Sequence, residues 1–102
     1  MLKPRHRDDI FAALSSRGWS NPVQLEVSPD WYAVGEAWTA TRLQETLKMF
    51  FVSDYGTGYK GIDSIESVSA TVGGTDRKPD LWLHRRRDSK WKAALSEWVA
   101  AI

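Results

Sequence analysis

A chain of 102 residues has too little apolar surface for two independent cores, so a single domain is expected over residues 1–102. Its 42% hydrophobic and 26% charged residues exclude the composition of a disordered segment, and the absence of cysteine excludes disulfides, a thiolate nucleophile and thiolate metal ligands. The formal net charge of +1 conceals a polarity: Glu26, Asp30, Glu36, Glu45, Asp54, Asp63, Glu66 and Asp76 face only Arg42, Lys48 and Lys60 between residues 21 and 76, whereas residues 77 to 92 are strongly basic.

The first predicted element is a helix from Pro4 to Arg17, in which Ile10, Phe11 and Leu14 share a face. Pro4 suits a first turn and Gly18 the left-handed position past a helix end, with Trp19 covering the last turn. Apolar alternation predicts a strand at Val23 to Val27 with one buried face, a turn at Ser28, Pro29 and Asp30, and a second strand at Trp31 to Val34 pairing with the first. Between Glu36 and Val52 helical and extended periods both fit; a strand at Leu47 to Ser53 is the firmest part of that stretch.

A glycine-rich turn at Gly56 to Gly61 precedes one or two strands built on Ile62, Ile65, Val68, Ala70 and Val72. A polar loop follows from Gly73 to Asp80, then a short strand from Leu81 to His84. Trp91, Ala94, Leu95, Trp98, Val99 and Ile102 fall on one helical stripe, with Asp88 or Ser89 available as N-cap. The strand-then-helix ending around Glu97, Trp98, Val99, Ala100, Ala101 and Ile102 resembles the close of a pleckstrin homology domain over the C-terminal third; any amphipathic helix carries such residues, and no family is assigned on them. The order predicts an α+β fold: an antiparallel sheet of about four to five strands with an N-terminal and a C-terminal helix packed on it. The alternative is a small β-barrel closed by the last helix.

Candidate chemistry is sparse. Gly56, Gly58 and Gly61 match G-x-G-x-x-G, but the following Ile62, Asp63, Ser64 and Ile65 read as turn or strand, so a hairpin turn explains them better than a dinucleotide site. His6 and His84 lack metal-ligand partners at i+3 or i+4, and no ordering signal joins His84 to a serine and an aspartate. Asp8 and Asp9 read as favourable charges in the first helical turns. No cofactor, metal or catalytic residue is expected.

Two surfaces remain. Arg77, Lys78, Arg85, Arg86 and Arg87, with Lys90 and Lys92 nearby, make a phosphate-binding candidate to which Trp82 would add base stacking; the competing account is a solvated corner paired with the acidic middle. Of six tryptophans, Trp91 and Trp98 belong to the helical stripe, while Trp31, Trp38 and Trp82 are the candidates for facing a partner. The expected function is a non-catalytic protein-interaction module, regulatory, immunity- or antitoxin-like or self-associating; the alternative is binding of nucleic acid or another polyanion. No apolar run approaches the length of about 20 residues that spans a bilayer, and a cytoplasmic location is expected.

Overall fold

Helix α1 (Arg7–Ser16) and helix α2 (Asp88–Ala101) flank five strands: β1 (Val23–Leu25), β2 (Val34–Arg42), β3 (Glu45–Val52), β4 (Ser67–Val72) and β5 (Thr75–Trp82). The computed structural model describes residues 4, 6–54, 56, 58–83 and 88–102. Consecutive strands pair antiparallel in the order β1-β2-β3-β4-β5, an open meander rather than a closed barrel. The expected α+β arrangement is therefore present, and the barrel alternative is not.

Alternation on β3 fixes which side is buried. Leu47, Met49 and Phe51 are fully buried, and their cross-strand partners Val72, Ala70 and Val68 on β4 and Ala40 on β2 join them in one core cluster. Because directly paired residues share a face of a sheet, these side chains form a single apolar layer. Ile10 and Leu14 of α1 and Trp91, Leu95, Trp98 and Val99 of α2 complete it. The predicted stripe of α2 is thus the surface that it lays on the sheet.

Several boundaries move. Helix α1 begins at Arg7 rather than at Pro4, which is buried ahead of it; His6 occupies the N-cap at φ 63°. Its end follows expectation: Gly18 at φ 89° donates to Ser15 O, and the Trp19 N–H donates to Leu14 O, the paired bonds of a Schellman motif. Trp19 and Leu14 are both buried in the core.

The predicted hairpin of Val23 to Val27 with Trp31 to Val34 does not form. Val23–Leu25 pairs instead with Ala37, Trp38 and Thr39, and Trp31 and Tyr32 lie in turns. Nor does β1 bury its apolar face: Val23 is exposed and Leu25 half-buried, because their partners Thr39 and Ala37 point away from the helices. The ambiguous stretch from Glu36 to Val52 resolves into the β2–β3 hairpin, turning through Leu43 and Gln44. Helical spacing there was coincidence, since the apolar residues on two paired strands mimic it.

The loop predicted from Gly73 to Asp80 is mostly strand. Gly73 and Gly74 form a tight turn, and β5 then runs from Thr75. Proline at position 79 is accommodated because β5 is an edge strand whose register breaks opposite Ser69, between the Val68–Leu81 and Ala70–Arg77 pairs.

One buried ion pair ties α1 to the sheet. Arg7 Nη1 donates to Glu36 Oε1 at 2.9 Å and Oε2 at 3.1 Å, and the Trp38 indole N–H donates to Glu36 Oε1 at 2.9 Å. The Arg7 guanidinium also lies 5.1 Å from the Trp38 ring centroid, and Phe11 meets Trp38 edge-on at 4.9 Å. Glu36 is only 7% exposed, so removing either charge strands the other away from water. Between the helices, His6 stacks on Trp91 at 4.0 Å, and both His6 and the Trp91 indole reach Asp9 Oδ2.

Two stability outcomes follow. Glu36→Ala should cost about 3 kcal/mol in urea unfolding, against 1 kcal/mol or less for Glu45→Ala, whose partner Arg42 is also held by main-chain oxygens. Leu43 is 97% exposed at φ 55°, where a branched side chain costs about 1–2 kcal/mol and glycine costs roughly 0.5–1 kcal/mol of chain entropy. Leu43→Gly should therefore raise the thermal midpoint; a fall would show that the turn is unstrained.

Candidate binding face

The layer opposite the helices can be read from the same register. Phe50 pairs with Ala37 and Ser69, Lys48 with Thr39 and Thr71, and Ser67 with Val52 and Trp82, which places all of them on the side away from α1 and α2. Neither α1 nor α2 covers this side. Small side chains, Ala37, Ser67, Ser69 and Thr71, make much of its floor, while Phe50 and Trp82 rise from it.

A loop supplies the wall. Residues 28–33 cross the end of the sheet, with the Trp31 N–H donating to Ser28 O, and set the Trp31 ring edge-on to Phe50 at 5.3 Å and 83° between planes. Asp30, Trp31, Tyr32, Ala33, Val34, Phe50, Val52 and Ser69 together enclose a cleft of about 420 Å³. That is ligand-pocket size, and its lining is predominantly apolar with few polar side chains. Trp31 is 40% exposed, Tyr32 64% and Trp82 46%. At the usual strand spacing Trp82 stands about 10 Å from Val52 across the sheet, so it flanks the opening rather than lining it.

Two tyrosine–glycine contacts hold the loop in place. The Tyr32 ring lies against Gly58, where a Cβ would come within 2.6 Å of its Cζ; the Tyr59 ring lies against Gly35, where a Cβ would collide with it and approach Ile65 Cδ1 to 2.9 Å. Gly35 is also the extra residue where the β2–β3 register shifts between Val34 and Glu36. The Tyr59 N–H donates to Tyr32 O, and Ser53 N–H to Ala33 O, tying Ser53 and Tyr59 to the residue 28–33 loop. The G-x-G-x-x-G spacing thus serves loop packing: Ile62–Ser64, which follows it, is one 3-10 turn and no phosphate-binding helix.

The sequence-predicted residues divide. Trp31 and Trp82 stand on the uncovered side as solvent-accessible rings. Trp38 belongs to the other side, where Phe11 meets it edge-on and the Arg7–Glu36 pair engages its ring and indole N–H. Arg77 pairs with Ala70 and so faces the helix side, opposite to Trp82, and its Nε is buried without a hydrogen-bond partner among the described residues. Arg85, Arg86 and Arg87 lie outside the described residues, as does His84, and of Lys78 only the strand position is described. Asp30, Tyr32 and Phe50 were missed from sequence. Phe50 was recoverable: once Leu47, Met49 and Phe51 point inward, the intervening Phe50 must point outward.

Among the described residues, no group of three or more histidine or acidic side chains gathers as a metal set. The ion pairs Arg7–Glu36 and Arg42–Glu45 and the His6–Asp9 contact lie away from the cleft. Asp30 takes part in none of them. No described helix is long and apolar enough to cross a membrane.

Overpacking tests the loop anchor. Gly35→Ala should cost about 1–3 kcal/mol in denaturant unfolding, and Tyr59→Ala in the same chain should recover part of that loss; additive costs would refute the contact.

No family model, curated protein or solved structure matches this chain.

Proposed function

We propose that this chain is a non-catalytic recognition module that binds a protein partner through the uncovered face of its sheet. One observation carries the reading: two tryptophans and a tyrosine remain substantially exposed around an apolar cleft, in a domain that buries Trp19, Trp91 and Trp98 to 5% exposure or less. Exposed aromatic rings over small side chains resemble the centre of a protein interface, where tryptophan and tyrosine contribute large contact area at low entropic cost. Asp30 lines the cleft and Asp76, paired with Thr71, shares this side with Lys48, a small acidic excess that favours basic partners. The arginine cluster, as a polyanion site, rests on sequence alone.

Paired substitution of the face decides the matter. Trp31→Ala with Trp82→Ala should leave the thermal midpoint within a few degrees of wild type, because both rings are half in water already. The same variant should lose a partner that purified wild-type protein binds directly and saturably, or should abolish a dimer seen by light scattering. If every direct partner binds the variant as tightly as wild type, recognition does not run through this face.

A further inference from the structure

Two cross-strand rows of the uncovered face share one plan. Lys48 on β3 and Asp76 on β5 both pair with Thr71 of β4, so opposite charges flank that strand, about 10 Å apart at the usual strand spacing. Both side chains are exposed, and neither forms an ion pair with a described residue. Val52 on β3 and Trp82 on β5 flank Ser67 of β4 in the same way. Val52 lines the cleft, whereas Trp82 is a large ring, 46% exposed, outside it. In each row, one side of β4 carries what the other side is fitted to receive.

A half-turn about an axis that lies over β4 and runs parallel to it lays this face on a copy of itself and exchanges β3 with β5. Each Lys48 then meets Asp76 of the partner subunit, and each Trp82 stands over Val52 of the partner subunit, at its cleft. One operation satisfies both rows because both are centred on the same strand. The outward side chains of β4 are Ser67, Ser69 and Thr71, small enough to let two sheets approach along that axis. The axis keeps the strands of the two copies aligned, as in face-to-face sheet packing, where the sheets lie about 10 Å apart, a gap that an indole crosses. The cleft, of about 420 Å³ with a mainly apolar lining, has room for the ring. Such a contact is isologous and closes at two copies. We infer that the uncovered face is occupied by a second copy of this chain, in a two-fold dimer whose axis follows β4. This assignment rests on the proposed recognition role of the face and names its partner.

Sedimentation equilibrium of the full chain reads the oligomeric state, and charge reversal reads the axis. Wild type should be a dimer. Lys48→Asp and Asp76→Lys each bring like charges together twice per dimer, and each should raise the dimer dissociation constant at least tenfold. Mixed in equal amounts, the two variants should recover a one-to-one heterodimer, because every contact is then between opposite charges; charges acting within one chain would not be restored by mixing. Trp82→Ala should weaken the dimer by a similar factor. A wild type that stays monomeric at millimolar concentration would overturn the assignment. So would a wild-type dimer whose charge variants dimerise unchanged, or whose weakened variants fail to recover on mixing. The failure of this dimer is distinct from failure of the recognition face: a monomeric wild type that binds another protein, and loses it in the Trp31→Ala, Trp82→Ala variant, would refute the second copy and leave the face standing.

Discussion

Both helices lie on the same side of the sheet, and this asymmetry governs everything else in the molecule. Leu47, Met49 and Phe51 can be fully buried because α1 and α2 share the task of covering them. The cost is a second face that neither α1 nor α2 covers. Ala37, Val52 and Ser67 are nonetheless buried there, which the residue 28–33 loop and the large rings of Phe50 and Trp82 account for. A side that is half-sealed by a loop and aromatic rings, rather than by a packed helix, is where a cleft can exist.

Charge placement reinforces the division. Helix α1 is docked by a buried guanidinium–carboxylate contact that also satisfies an indole N–H, an arrangement that specifies one position of α1 along β2. Arg42 performs a related task at the far end of the hairpin, where it reaches Glu45, Arg17 O and Ile102 O and lies over Trp19. These contacts use charge to build the scaffold on the helix side. Across the sheet, Asp30 sits beside aromatic rings with no such duty.

Legibility from sequence followed the range of the interactions involved. The C-terminal helix, the Schellman end of α1 and the β3 alternation were readable because each is written within a dozen residues. The β1 pairing was misread because proximity in sequence favoured Trp31 to Val34, whereas the actual partner lies beyond the 28–33 loop. Strand β5 was shortened because the glycine and polar residues from Gly73 to Asp80 read as a loop, and Pro79 within it is compatible with a strand at the sheet edge. For the site, Trp31 and Trp82 were identifiable as surplus tryptophans, but reading residues 73 to 80 as a loop hid that Arg77 and Trp82 share one strand, on which an odd separation turns them to opposite faces.

The two margins of the sheet have a bearing on how this domain can meet another chain. On one side β1 offers only three residues, and on the other β5 contains a proline without an N–H and a break in its ladder. Neither margin is a good template for adding a strand, so main-chain templating of fibrils or of a continuous intermolecular sheet is disfavoured. Encounters are left to side chains, and a surface read through side chains can discriminate among partners in a way that shared backbone geometry cannot.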